Sequence, residues 1–254
     1  MLNIIRHDSL ATARPLLIVH GLYGSARNWG VIAKRLSDRG PVVAVDQRNH
    51  GESPWFDSHT YPDMARDLAQ VIEHIGGPVD IVGHSMGGKA AMMLALMRPE
   101  LLARVVIADI APVAYDHDQT AFIEAMQAVD LSRVEKRSDA VAQLAPRVAD
   151  TVLQSFFTQS LDVAGKRWRL NLDVLMRDMA HIIGWPSDAA GVFEGPVLFL
   201  SGADSHYVLP EYRPRIRAHF PKARFAKIPG AGHWLHAEKP REFEAAVRHF
   251  LEMD

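Results

Sequence analysis

Residues 83–87 read Gly-His-Ser-Met-Gly, a pentapeptide that can present one serine as a nucleophile. An apolar run over 79–82 precedes it, and a stretch with helical character begins at Gly88. On such a strand-to-helix turn the serine hydroxyl is held out above the sheet, and the two glycines leave room where a Cβ would clash. We therefore predict that Ser85 attacks a carbonyl carbon and forms a covalent acyl intermediate.

The serine needs a base, because its hydroxyl is a weak nucleophile near neutral pH. A histidine serves this purpose when a carboxylate orients its ring. Among the 13 histidines, His233 fits best because it follows the last predicted strand in a Gly-Ala-Gly turn. Its position late in the chain, after the serine, also matches the order of such sites on α/β sheets. Four other histidines are competitors, for which we expect local hydrogen-bonding or loop roles: His20, His50, His84 and His236.

The elements that must position these residues alternate along the chain, which favours parallel β-α-β units. Continuous apolar runs suit strands that are covered on both faces, and they predict strands at 15–19, 41–45, 79–82, 105–108, 197–200 and 224–228. Apolar residues three and four apart predict helices at 28–38, 63–75, 88–97, 211–219 and 241–251. We expect an α/β fold over residues 1–254, a single domain with a mostly parallel central sheet flanked by helices.

The interval at about 111–185 interrupts this alternation, because it contains helical patterns without an intervening strand. We predict a helical cap inserted there, covering a cleft. Its large apolar side chains are expected either to wall an apolar pocket or to pack the cap on the main domain. They are Phe122, Met126, Phe156, Phe157, Trp168, Leu172, Leu175 and Met179.

The charge, the cysteine content and the apolar runs of the chain argue against several classes of partner and of catalytic chemistry. The formal charge of −2 and the lack of a Lys/Arg-rich run give no basic surface for nucleic acid. With no cysteine in the chain, neither a thiolate nucleophile nor a cysteine metal site is available. No apolar run approaches the roughly 18 residues of a membrane span, and the first residues do not resemble a secretion signal. We expect a cytoplasmic protein without membrane attachment.

Four further segments complete a recognisable pattern. They are HGLYGS at 20–25, DQRNHGES at 46–53, DIAPV at 109–113 and GAGHWLHAEKP at 230–240. Together with the serine turn, they resemble the α/β-hydrolase superfamily over nearly the whole chain, and more closely the small YbfF-type bacterial acyl esterases and their mitochondrial relatives. The resemblance implies an α/β-hydrolase fold and a serine-acid-histidine triad that works without a metal or an organic cofactor.

Within the resemblance, the triad acid has two candidates. In many relatives it follows the strand predicted here at 197–200, commonly three residues after a glycine, and Ser205 occupies that slot with Asp204 beside it. The YbfF-like branch takes its acid from the earlier strand, after which Asp109 begins Asp-Ile-Ala-Pro. We favour Asp109 over Asp204. Ser205 is then expected either to support His233 or Asp109 with a hydrogen bond or to be an ordinary turn serine.

Acyl transfer also needs two donors aimed at the oxygen that gains negative charge. The resemblance assigns this role to the backbone N–H groups of Leu22 and Met86. Tyr23 and Trp234 flank the predicted centre, where they are expected either to line the acyl pocket or to serve in packing. The polar loop at 46–50 is expected to be a scaffold, and we expect no metal there because a third ligand is missing.

These expectations combine into the hydrolysis of a short- to medium-chain carboxylic ester or acyl thioester. The partner would be a small-molecule substrate, and a monomer or a homodimer fits equally well. Carbon-carbon bond hydrolases and perhydrolases keep the same triad and remain alternatives, as does a ligand sensor with slow turnover. Dehalogenases and epoxide hydrolases of this superfamily are disfavoured, because they place an aspartate at the position of Ser85.

Overall fold

A seven-stranded sheet forms the centre of the protein. The computed structural model describes residues 1–117 and 119–253. The strands of this sheet lie in the order β1-β3-β2-β4-β5-β8-β9, and only the edge pair of β1 and β3 is antiparallel. In chain order they are β1 (Ile4–His7), β2 (Leu16–Val19), β3 (Val42–Val45), β4 (Val79–His84), β5 (Leu102–Ala108), β8 (Val197–Gly202) and β9 (Ala223–Ile228). A separate two-stranded sheet pairs β6 (Leu161–Asp162) with β7 (Arg167–Trp168).

Helices cover both faces of the large sheet. Those of the described residues are α1 (Gly30–Leu36), α2 (Tyr61–Ile75), α3 (Met86–Met97), α4 (Thr120–Gln127), α5 (Arg137–Leu144), α6 (Thr151–Gln159), α7 (Leu172–Arg177), α8 (Met179–Ile183), α9 (Arg213–His219), α10 (Leu235–Glu238) and α11 (Pro240–Leu251). Along β2, Leu16 packs in the apolar cluster formed with α1 and α11, whereas Leu17 packs in the cluster formed with α2 and α3. Because neighbouring strand residues face opposite sides, burial on both faces produces the continuous apolar runs.

The fold predicted from the sequence is confirmed, with two differences in the strands. The six predicted strands appear as β2, β3, β4, β5, β8 and β9. β1 was not predicted, because this partly exposed edge strand reads Ile-Ile-Arg-His and has no continuous apolar run. The interval at 111–185 also contains the β6–β7 hairpin, whose strands of two residues are too short to produce a periodic signal.

Residues 119–185, which we call the cap segment, contain α4 to α8 and the small hairpin. The cap segment contacts the loop after β2, where the Tyr23 hydroxyl donates to the Gln119 carbonyl at 3.0 Å. It also contacts the loop after β3, where the Asn171 N–H donates to the Asn49 carbonyl at 3.0 Å. Both loops leave the carboxyl ends of parallel strands, which is the edge where ligands bind in open α/β sheets. None of the helices in the described residues combines the length and the apolar character needed to span a bilayer.

Candidate active site

Ser85 lies on the turn between β4 and α3, in a backbone conformation that side chains rarely adopt. Its φ and ψ are 52° and −121°. A Cβ added at Gly83 would lie 2.3 Å from the Gly87 carbonyl oxygen, and one added at Gly87 would lie 2.4 Å from the Val19 carbonyl oxygen. The two glycines therefore let the turn close against its own backbone and against β2. Local strain of this kind persists only where the surrounding structure enforces it, which is typical of functional turns.

The structure brings Ser85, His233 and Asp109 together in one hydrogen-bonded line. Ser85 Oγ lies 3.1 Å from His233 Nε2, and His233 Nδ1 lies 2.8 Å from Asp109 Oδ2. The Asp109 side chain is fully buried, whereas that of His233 is 23% exposed and faces the cleft. A carboxylate can only accept, so the ring donates through Nδ1 and its Nε2 is left to accept the serine proton.

Asp109 is held from several sides at the end of β5. Its backbone has a φ of 52°, and its N–H donates to the Leu200 carbonyl at 2.9 Å. Oδ1 accepts from the Gly202 N–H at 3.1 Å, and Oδ2 accepts from the Ser205 hydroxyl at 2.5 Å. A carboxylate with this many donors stays in place while its partner ring gains and loses a proton. Asp204, the other candidate acid, has an exposed side chain and is not part of this line.

Ser205 supports Asp109 rather than His233, and its removal tests how much that support contributes. We expect Ser205→Ala to lower kcat for a simple ester by about threefold to thirtyfold, because one hydrogen bond to a charged group is lost while the other donors remain. Steady-state rates and thermal unfolding of both proteins measure this. Ser138, exposed on α5, offers a matched control as Ser138→Ala. An unchanged kcat would reduce Ser205 to an ordinary turn serine.

The two residues whose backbone N–H groups are predicted as oxyanion donors line the same pocket as Ser85. Met86 is the first residue of α3, and Leu22 follows β2 in the loop at residues 20–25, which we call the His-Gly loop. N–H groups in the first turn of a helix have no partner within the helix and lie at the positive end of its dipole. In the described part of the chain, no turn or loop hydrogen bond uses either of these two N–H groups.

The His-Gly loop is tied down at Tyr23, a connection that sequence reasoning missed. Tyr23 has a φ of 63°, and its N–H donates to His50 Nε2 at 3.2 Å. The Ser160 hydroxyl of the cap segment donates to the Tyr23 carbonyl at 3.0 Å. His50 Nδ1 bonds the Arg48 carbonyl at 2.9 Å, which leaves Nε2 as an acceptor. His50 thus orients the peptide that follows Leu22, and the only signal in the sequence was its place in a polar loop after a strand.

A cavity of about 290 Å³ opens beside Ser85, between the sheet edge and the cap segment. Tyr23 and Trp234, both predicted near the centre, line it. The Trp234 ring lies 6.0 Å from that of Phe156 in the cap segment. The Tyr207 ring stacks on the His233 imidazole with centroids 4.0 Å apart, a neighbour that the sequence analysis did not identify. Many of the lining side chains are therefore aromatic or aliphatic, and the polar ones include Ser85, His233 and Lys89.

The competing histidines pack around the site, and three of them, His20, His50 and His84, are buried. Burial lowers the pKa of all four, and it lowers the pKa of His50 and His236 to about 3. His84 Nε2 bonds the His233 carbonyl at 2.9 Å, so His84 fixes the backbone of the catalytic candidate. His236 stacks flat on Trp29, with centroids 4.2 Å apart. These rings are neutral near pH 7 and serve as packing and hydrogen-bonding groups.

This burial predicts an acid-sensitive fold. The folded-state pKa of His236 is lowered, so its contribution to stability is fully present above the unfolded value of 6.5 and is lost as the pH falls from there toward 3. Over that window, one such histidine lowers the free energy of unfolding by about 1.4 kcal/mol for each unit by which the pH falls. We expect His236→Gln to make the pH dependence of stability shallower by up to about this amount, as measured by denaturant unfolding between about pH 6 and 4.5.

The exposed His74 on α2 provides the control for this experiment. His74→Gln should leave the slope of stability against pH close to that of the wild type. The same slope in the wild type and in His236→Gln would contradict the account of buried neutral histidines.

Comparisons with known proteins agree with this fold. A family model described as alpha/beta hydrolase fold matches residues 14–240. The chain is 40% identical over 257 residues to the sn-1-specific diacylglycerol lipase ABHD11 of Mus musculus, covering 96% of this chain and 83% of that protein. It is 39% identical over 243 residues to Esterase YbfF of Escherichia coli (strain K12), covering 93% of this chain and 92% of that protein.

A solved structure described as a marine microorganism esterase superposes on the chain with a TM-score of 0.91 at 34% identity, covering 98% of this chain and all of that one. The relatives are therefore esterases and lipases, and the resemblance to the YbfF type is confirmed. The chain belongs to the α/β-hydrolase fold family.

Proposed function

We propose that the protein is a serine hydrolase that cleaves short- to medium-chain carboxylic esters or acyl thioesters through an acyl-serine intermediate. The observation that carries this proposal is the continuous line from Ser85 Oγ through the His233 ring to the buried Asp109, with contacts of 3.1 and 2.8 Å. A neutral imidazole between a hydroxyl and a fixed carboxylate is the arrangement that activates serine for attack on a carbonyl.

In the proposed mechanism, His233 takes the Ser85 proton as the hydroxyl attacks the substrate carbonyl. The N–H groups of Leu22 and Met86 stabilise the oxygen that becomes negative in the tetrahedral intermediate. His233 then returns the proton to the leaving alcohol or thiol, and the acyl group remains on Ser85. In the second half, His233 activates a water that releases the carboxylic acid, while Asp109 stabilises the transient imidazolium.

The cavity supports a substrate of limited size. Its volume of about 290 Å³ lies near the lower end of small-molecule sites. Aromatic side chains of the cap segment, such as Phe122 and Phe156, offer an apolar surface for an acyl chain. The mouse relative is named for diacylglycerol and the E. coli relative simply as an esterase. We therefore propose that the size of the cavity limits the length of the acyl chain that reacts.

Turnover of p-nitrophenyl acetate, butyrate and palmitate tests the proposal. We expect sustained release of p-nitrophenol over many turnovers, faster for the two short esters than for palmitate. Release that stops after one equivalent per protein would instead indicate the alternative of a ligand sensor with a slow triad. The absence of any release, with the protein folded, would contradict ester hydrolysis of this class.

A further inference from the structure

One charged residue in the cleft has no role in the mechanism above. Lys89 lies on α3, and its N–H donates to the Ser85 carbonyl at 3.1 Å, so it follows the nucleophile by one helical turn. Residues four apart share a helix face, and helical side chains lean toward the N-terminus. The Lys89 side chain therefore extends on the same face as Ser85, and it lines the same cavity.

The surroundings of the Lys89 ammonium are polar but carry no opposite charge among the described residues. Its Nζ donates to the carbonyls of Ile183 and Gly184 at 2.9 and 2.5 Å, at the end of α8 in the cap segment. An ammonium has three N–H groups, so these two bonds leave one donor unused. The rings of Tyr115 and Tyr61 lie near it, with centroids 4.8 and 5.6 Å from Nζ.

A lysine in this setting is costly unless a ligand compensates it. Lys89 is only 1% exposed, and an unpaired buried charge is unfavourable. Burial, together with the positive charge of Arg215, lowers the pKa of Lys89 to about 7. No acidic side chain of residues 1–117 and 119–253 lines the cavity. An anion bound beside Nζ would pair with the buried ammonium and offset the cost of burying its charge.

We propose that Lys89 is a specificity-determining residue that binds a carboxylate at the far end of the acyl group, so that esters of dicarboxylic acids are preferred substrates. This inference rests on the proposed function, because it places the acyl carbonyl at Ser85 and the second carboxylate at Lys89. One helical turn, about 6 Å along the axis, separates the two residues. An acyl group with a short methylene spacer spans such a distance.

A purely structural role makes a different prediction. Lys89 also fastens the end of α8 to α3, and a residue that only fastens the cap segment affects charged and neutral substrates by the same factor. The quantity to measure is therefore the ratio of kcat/KM for monoethyl glutarate to that for ethyl pentanoate. The two acyl groups match in length and differ in a terminal carboxylate or methyl group.

We expect the wild type to favour monoethyl glutarate, and Lys89→Met to lower the ratio by at least about tenfold, as for the loss of a charged hydrogen bond. Lys89→Arg keeps the charge and should retain part of the preference. A ratio that is the same in the wild type and in Lys89→Met overturns the proposal. Hydrolysis of p-nitrophenyl butyrate that is lost in Ser85→Ala shows independently that the proposed function stands.

A second measurement needs no variant and keeps the proposal testable if Lys89→Met does not fold. Glutarate and pentanoate are compared as inhibitors of p-nitrophenyl butyrate hydrolysis by the wild type. We expect glutarate to inhibit at a lower concentration than pentanoate. Inhibition by pentanoate at an equal or lower concentration overturns the proposal.

Discussion

Ser85→Ala is expected to lower kcat for p-nitrophenyl butyrate by at least about 10,000-fold, because it removes the only atom that forms the proposed covalent bond. The Ala side chain lacks Oγ but keeps the Cβ that the strained turn already accommodates, so the fold should be retained. Steady-state rates together with the thermal unfolding midpoint measure both effects.

Ser138→Ala, on the exposed face of α5, controls for the loss of a serine hydroxyl as such. Its rate should stay within about twofold of the wild type, in line with a substitution distant from the site. A Ser85→Ala protein that is folded and still turns the ester over at a comparable rate would contradict the proposed nucleophile.

Asp109→Asn has the second-largest expected effect, a loss of about a thousandfold to ten-thousandfold in kcat. The amide can donate to His233 Nδ1, which reverses the hydrogen bond and leaves the Nε2 proton facing Ser85. A ring in that tautomer cannot accept the serine proton. The rate is measured with p-nitrophenyl acetate and butyrate, with circular dichroism to verify the fold.

Asp204→Asn is the matched variant, because it makes the same chemical change at an exposed side chain. Asp204 lies two residues after Gly202, whose N–H donates to Asp109. We expect its kcat to stay within about twofold of the wild type. Loss of activity in Asp204→Asn with retention in Asp109→Asn would reverse the assignment of the acid.

The strands β2, β3, β4 and β8 were predictable because each is buried on both faces. The run Leu16–Val19 is apolar throughout since Leu16 and Leu17 face different helices. The strand Ile4–His7 lacked this signal because it lies partly exposed at the sheet edge and two of its four residues, Arg6 and His7, are polar. Tertiary pairing with β3, and not a local pattern, places it in the sheet.

The nucleophile was predictable from local sequence, whereas the acid was favoured only through the family resemblance. The glycines around Ser85 are needed within one turn, so five residues carry the signal. Contact between Asp109 and His233 joins residues 124 positions apart, and it depends on where the ends of β5, β8 and β9 meet. From the sequence, Asp109 and Asp204 both follow a strand. The structure separates them, because Asp109 is buried and bonded to His233 whereas Asp204 is exposed.

The contacts of three neighbours of the site were missed for a similar reason, although His50 itself was expected to belong to a scaffold loop. His50 reaches the His-Gly loop, Tyr207 stacks on His233, and Lys89 reaches the end of α8 through contacts that are distant in sequence. Lys89 alone left a usable signal, because it is the one charged residue among the buried positions at the start of α3. A charge on an otherwise apolar helix next to a nucleophile indicates a ligand or a buried partner.

Labelling with diethyl p-nitrophenyl phosphate tests the central claim, a covalent acyl-type intermediate on Ser85, most directly. The reagent leaves a diethylphosphoryl group on an activated serine, and its position is read from the masses of proteolytic peptides. We predict one adduct per protein, on Ser85, with activity lost in proportion to labelling and no adduct in Ser85→Ala. Complete inactivation with Ser85 unmodified, or with the adduct on another residue, would contradict the account.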